Sequence, residues 1–311
     1  MYGLFLPIET KKMKEISLAG SFVALVTPFN QRDQVDYGKI EELVEYHIAN
    51  GTAGIVPCGT TGEASTLSHE EHRKIIDVVV RSASGRIPVL AGTGSNCTKE
   101  AIALTKHACD VGADGVLIVT PYYNRPTQEG IYRHYEVISQ AVPGCPIVLY
   151  SIQGRTGVNI EPKTVQRLSR IPNIIGIKEA SGNLNQMSSI LHITEGSFQL
   201  TSGDDALTLP VLSIGGVGVI SVLANIMPRQ VVRMIQLYND GRNIEAGVLH
   251  RHLMGITSSL FIETNPVPVK TAMAMLGRIS GRVRLPLCHM SPESDILLSA
   301  EMKLAGLLPL P

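Results

Sequence analysis

From Ser21 onward, short apolar runs alternate with longer stretches in which apolar residues recur every three or four positions. The short runs, rich in β-branched residues, predict strands at Phe22–Pro28, Ala53–Cys58, Pro88–Gly92, Gly115–Thr120, Pro146–Tyr150, Ile174–Lys178, Phe198–Ser202 and Gly216–Ser221. The longer stretches predict helices, and Tyr37–Asn50 is the clearest. Its Ile40, Leu43, Val44, His47 and Ile48 form one stripe, Asp36 is placed to cap the start, and Gly51 closes the end. Ser68 with Glu71 three residues on makes a capping box for the next helix, whose buried face is Ile75, Ile76, Val79 and Val80. Eight strand-then-helix units, with strands too short and apolar to face water, predict an α/β fold. The expected form is a (β/α)8 TIM barrel over residues 19–242 with the active site on it. A doubly wound sheet would bring a Gly-rich phosphate turn after its first strand, but that strand ends Thr27-Pro28-Phe29. The later Gly92-Thr93-Gly94 reads as a plain turn. Residues 243–311 keep helical periodicity (Leu249, His252, Leu253, Ile256), broken at Asn265-Pro266-Val267-Pro268, and predict a small C-terminal all-helical domain. Residues 1–18 read as an N-terminal extension. Its apolar patch precedes Lys11, Lys12 and Lys14, the reverse of a secretory signal.

Charge narrows the class. Lys+Arg and Asp+Glu are both 27, giving zero formal charge, and no nucleic-acid partner is expected of a chain without a basic excess. No apolar run approaches the ~20 residues that cross a bilayer, so no membrane span is expected. The five cysteines (58, 97, 109, 145, 288) lack metal-type spacing, and reduced thiols in a cytoplasmic protein are the expectation. His69-Glu70-Glu71-His72 places its histidines three apart rather than four, so the zinc-protease helix motif is absent and no metal is expected.

The sixth strand carries the most distinctive chemistry. In Ile174-Ile175-Gly176-Ile177-Lys178-Glu179-Ala180, alternation puts Ile174, Gly176, Lys178 and Ala180 on one face, with two small residues flanking the lysine. An amine enclosed by apolar walls is a usable nucleophile, whereas a strand-end lysine otherwise snorkels to solvent. Barrel enzymes gather their catalytic groups where the strands end. Those positions hold Gly59-Thr60-Thr61-Gly62-Glu63, Pro121-Tyr122-Tyr123-Asn124, Tyr150 running into Arg155-Thr156-Gly157, Lys178, and Gly203-Asp204-Asp205. Hydroxyls, one guanidinium and one lysine suit Schiff-base chemistry on a small carboxylated carbonyl compound, with turn N–H groups holding a carboxylate.

These motifs, together with N-P-x-P-V-K near the end of the chain, occur in an order that closely resembles the dihydrodipicolinate synthase family, among the pyruvate-dependent class I aldolases and lyases. The resemblance runs from about Ala19 to Leu308. It implies condensation of pyruvate with L-aspartate 4-semialdehyde on the route to diaminopimelate and lysine. No cofactor is implied beyond the covalent Schiff base with pyruvate. By resemblance, Lys178 forms that Schiff base, Tyr150 transfers protons, and Thr60 links it to Tyr123, which reaches in from a neighbouring subunit. Thr61 holds the pyruvate carboxylate, Arg155 grips that of the second substrate, and Gly203 and Ile220 line the pocket. The resemblance also implies a homotetramer, a dimer of dimers. An inhibitory L-lysine would sit in an inter-subunit crevice at Ala64, Ser65, His69, His72, Asn96, Glu100 and Tyr122, with Glu100 facing the ammonium.

One stretch departs from the family pattern. Ser151-Ile152-Gln153-Gly154 stands where the family has Asn-Val-Pro-x, and losing a proline while gaining a glycine is expected to loosen the loop that aims Arg155. Two other readings stay open: an N-acetylneuraminate or keto-sugar-acid lyase of the same group, and a catalytically silent keto-acid-binding homologue. Arg155 in its R-T-G context and the Thr60-Thr61 pair favour the synthase, and a silent homologue should lack one of Lys178, Tyr150, Tyr123 or Thr60.

Overall fold

A computed structural model describes residues 15–194 and 198–309. Eight parallel strands form the centre: β1 (Gly20–Ala24), β2 (Gly54–Val56), β3 (Leu90–Gly92), β4 (Gly115–Val119), β5 (Ile147–Ser151), β6 (Ile174–Glu179), β7 (Gln199–Ser202) and β8 (Gly218–Ser221). Their order, β2-β1-β8-β7-β6-β5-β4-β3, is closed into a ring by the parallel bridge between Ile55 and Val89. This is the expected (β/α)8 barrel. Around it run α1 (Tyr37–Ala49), α2 (His69–Ala83), α3 (Thr98–Asp110), α4 (Gln128–Ala141), the single turn α5 (Gln153–Thr156), α6 (Pro162–Leu168), α7 (Leu184–Ile193), α8 (Thr208–Ser213) and α9 (Pro228–Asn239). After them come α10 (Asn243–Ser259), α11 (Val267–Met275) and α12 (Pro292–Leu304), with α10 packed on α9.

The local signals act as expected. The Asp36 side chain accepts from Lys39 N at the head of α1, and Gly51 follows in the left-handed region at φ +75°. The Ser68/Glu71 capping box starts α2. Two apolar layers result: an outer one between strands and helices, and an inner plug of Leu18, Phe22, Val56, Leu90, Leu117 and Val148. The plug closes one end of the barrel to water and leaves the other end, at the strand C-termini, for polar groups.

Four expectations are adjusted. The first strand spans Gly20–Ala24 rather than Phe22–Pro28, because beyond it Val26 N donates to the Asn225 side chain instead of a neighbouring strand. The N-terminal extension lies outside the described residues up to 14. Leu18, by contrast, is fully buried, and Leu18 N and the Ile16 carbonyl both bond the Gln199 side chain, so this end of the stretch belongs to the barrel floor. Cys109 and Cys145 are disulfide-bonded, which corrects the expectation of reduced thiols: the end of α3 and the turn before β5 bring their Cα atoms to 6.2 Å. Ile174 packs in the outer layer, away from Gly176 and Lys178. The register passes from Ile147↔Ile174 to Val148↔Gly176, so β6 has one extra residue there and its alternation resets. Among the described residues, no helix is long and apolar enough to cross a membrane.

Candidate active site

Lys178 is the centre of the open end. It lies in register with Tyr150 on β5 and Thr201 on β7, and registered neighbours in a parallel sheet share a face. Lys178 and Tyr150 are only 6% and 5% exposed, and the Lys178 Nζ sits 4.3 Å from the centroid of the tyrosine ring. The amine is therefore held against an aromatic face rather than snorkelling. Gly203 lets the end of β7 pack closely against β6. A Cβ there would lie 2.6 Å from Ala180 Cβ and 3.1 Å from Lys178 Cε. Gly176, the other small residue flanking the lysine, lies deeper, where a Cβ would strike the Gln199 carbonyl and the Leu18 side chain. Ile220, 1% exposed, belongs to the inner layer alongside Tyr150.

The Gly59–Glu63 turn is wound tightly by Gly62 N to Gly59 O and Glu63 N to Thr60 O hydrogen bonds of 3.1 and 3.0 Å. Gly62 must be small, since a Cβ would meet Cys58 N and Leu25 O at 3.1 Å. Thr61 is 2% exposed and Thr60 half-buried. The turn is anchored below by an enclosed ion pair, Lys270 Nζ to Glu63 Oε1 at 2.6 Å, so α11 reaches back to the rim of the barrel.

Arg155 is exposed, and its Nη2 donates to the main-chain carbonyl of Asn265 at 3.0 Å. The loop before it is closed by hydrogen bonds. Residues 153–156 form the helical turn α5, the Thr156 hydroxyl bonds Ile152 O, and Gly154 does not take a positive φ. Tyr123 is not brought to Lys178. It is 90% exposed at φ +71°, a strained backbone for a tyrosine, so its ring is presented away from its own barrel.

The second residue set divides. His69 Nε2 and Glu100 Oε1 pair at 2.5 Å beside a cavity of about 260 Å³ lined also by Arg73, Cys97 and Lys99. Tyr122 is half-buried, and its phenol pKa is raised by burial and then by the Glu100 charge. Asn96 O accepts from Asn124 Nδ2 at 2.9 Å. Ala64 and Ser65 lie on the short turn Ala64–Thr66 just before α2. His72, by contrast, is 5% exposed, with its imidazole pKa pushed down to about 4 by burial, so it packs beneath this surface rather than opening onto it. The sequence reading passed over Ser95, whose hydroxyl bonds the other Glu100 oxygen and Tyr122. It also passed over Asn265, although the N-P-x-P-V-K motif contained it. Among the described residues, no three His, Cys, Asp or Glu side chains gather as a metal site would require.

A closed barrel with one apolar end, and at the other an enclosed lysine against a tyrosine, is the construction of the barrel lyases, and this chain is of that class. The profile of the Dihydrodipicolinate synthetase family matches residues 17–304, and the chain belongs to that family. It is 50% identical over 289 residues to the 4-hydroxy-tetrahydrodipicolinate synthase of Syntrophus aciditrophicus, covering 93% of this chain and 99% of that one. The dihydrodipicolinate synthase crystal structure from Aquifex aeolicus superposes with a TM-score of 0.91 at 47% identity, covering 93% of this chain and 99% of that one. The structure from Cyanidioschyzon merolae with lysine bound gives the same TM-score at 43% identity, with the same coverage.

Proposed function

We propose that this chain condenses pyruvate with L-aspartate 4-semialdehyde, the 4-hydroxy-tetrahydrodipicolinate synthase reaction, through a Schiff base on Lys178. The observation that carries this is the enclosed Lys178 amine, 4.3 Å from the Tyr150 ring and in register with Tyr150 on the neighbouring strand. The amine attacks the pyruvate ketone and water leaves. Loss of a methyl proton gives an enamine, whose carbon bonds to the aldehyde carbon of the second substrate. That substrate's own amine then attacks the imine carbon, closes the ring and frees Lys178. Tyr150 moves the protons, relayed through Thr60 to Tyr123 of a neighbouring subunit. The exposed, strained Tyr123 supports that role, since it has no place in its own barrel. Thr61 takes the pyruvate carboxylate and Arg155 that of the semialdehyde, which a planar two-pronged donor suits. The working form is a homotetramer of tight dimers in the cytoplasm, inhibited by L-lysine at Glu100 and His69.

Borohydride reduction with pyruvate, followed by peptide mapping, tests the centre of this reading. Modification at Lys178 is expected, and an unmodified Lys178 would refute it. Aspartate semialdehyde should be consumed far faster than N-acetylmannosamine as acceptor, and the reverse order would favour the sugar-acid lyase.

A further inference from the structure

The two carboxylate-binding groups meet at one residue outside the barrel. Asn265, 5% exposed, precedes α11. Its Nδ2 donates to Thr61 Oγ1 at 3.0 Å, and its main-chain carbonyl accepts from Arg155 Nη2 at 3.0 Å. Its Oδ1 is enclosed without a hydrogen-bond partner among the described protein atoms. A buried acceptor left unpaired opposes folding, so packing alone does not account for an amide at this place. The bond to Thr61 does. A hydroxyl has a single hydrogen, and when a neighbour donates to its oxygen that hydrogen is left to point elsewhere. A carboxylate can only accept, so a threonine meant to hold one must keep its hydrogen free.

We propose that Asn265 is a positioning residue for both substrates. Its amide N–H keeps the Thr61 hydroxyl as a donor toward the pyruvate carboxylate, and its main-chain carbonyl aims Arg155. This rests on the roles given to Thr61 and Arg155 above.

The side-chain half is tested by steady-state kinetics on wild type, Asn265→Ala, Asn265→Asp, Thr61→Val and the Thr61→Val/Asn265→Ala double variant. Borohydride trapping with pyruvate is run alongside on each. Asn265→Ala should lower kcat/KM for pyruvate roughly tenfold, the worth of one hydrogen bond to a charged group. It should leave KM for the semialdehyde nearly unchanged, because the main-chain carbonyl remains. Asn265→Asp keeps the shape but replaces the donor by an acceptor that captures the Thr61 hydrogen, so it should be the worse of the two. In the Thr61→Val background, Asn265→Ala should add little. Effects that simply multiply in the double variant, or equal changes in both KM values, overturn the proposal. If the alanine variant does not fold, the near-isosteric aspartate variant carries the test, and pyruvate affinity equal to wild type refutes the idea. A wild type that is not trapped at Lys178 instead refutes the underlying site assignment, which keeps the two failures apart.

Discussion

Replacing Lys270 by methionine tests how the C-terminal segment holds the Gly59–Glu63 turn. Lys270 is fully enclosed, and its Nζ donates to Glu63 Oε1 at 2.6 Å and to Thr27 O at 2.8 Å, with the Phe29 ring centroid 4.1 Å away. Glu63 is enclosed as well, and its second oxygen accepts from Arg284 N at 3.0 Å. Burial lowers the Lys270 pKa below the ordinary lysine value, and the Glu63 charge works against that shift. The pair thus stands on a balance between lost hydration and mutual attraction. Methionine has nearly the same reach without the charge, so the variant perturbs packing little. It leaves the Glu63 carboxylate facing a single N–H donor, and breaking a buried pair from one side costs about 3–5 kcal/mol. Glu63→Gln combined with Lys270→Met removes both charges and should recover most of that loss. Urea unfolding at pH 7, followed by circular dichroism, measures both. Because Glu63 N closes the turn on Thr60 O, the single variant should also lose activity beyond its folded fraction. A single variant within about 1 kcal/mol of wild type, or a double variant no better than the single, would refute the reasoning.

Three further outcomes are expected. Gly203→Ala places a methyl group 3.1 Å from Lys178 Cε, and overpacking of about 1–3 kcal/mol should cut kcat/KM at least severalfold and slow borohydride trapping; an unaltered rate would show that the pocket lies elsewhere. Ser95→Ala frees one Glu100 oxygen, and the lysine concentration for half-inhibition should fall roughly two- to tenfold, the worth of one competing hydrogen bond. No change in initial-rate inhibition would count against Glu100 as the ammonium partner. His134, like His72, is held by burial at about 4, below the unfolded value near 6.5. The unfolded chain then binds more protons, so this stabilisation is complete above pH 6.5 and is lost as pH falls toward 4. Buried Glu179 and Asp205, with raised pKa values, act with the opposite sign. The difference in unfolding free energy between wild type and His134→Asn isolates the histidine. It should shrink by up to about 1.4 kcal/mol per pH unit below 6.5, and a difference that stays flat down to pH 4.5 would argue against a neutral buried ring.

Much of this protein could be read along the chain. The eight strands, the α1 stripe ending at Gly51, and the caps at Asp36 and Ser68 were all legible because each depends on residues within a few positions of one another. Lys178, Tyr150 and the Thr60-Thr61 turn were legible for a related reason: a barrel delivers whatever ends its strands to one rim. What periodicity could not show is how neighbouring segments meet. Ile174 left the inner face because β6 carries one residue more than β5 at that point, a fact about two strands rather than one. Cys109 and Cys145 paired because α3 and the turn before β5 converge. The loop at Gln153-Gly154 winds into a helical turn, with Arg155 held by a carbonyl 110 positions away. Asn265 meets Thr61 across 204 positions, and only closure of the barrel and return of the C-terminal helices bring them together. Local pattern and strand-end placement were enough to give the scaffold and to set Lys178 at the rim. What holds Thr61 and Arg155 in place emerged only with the folded chain, because those hydrogen bonds exist only between segments that folding brings into contact.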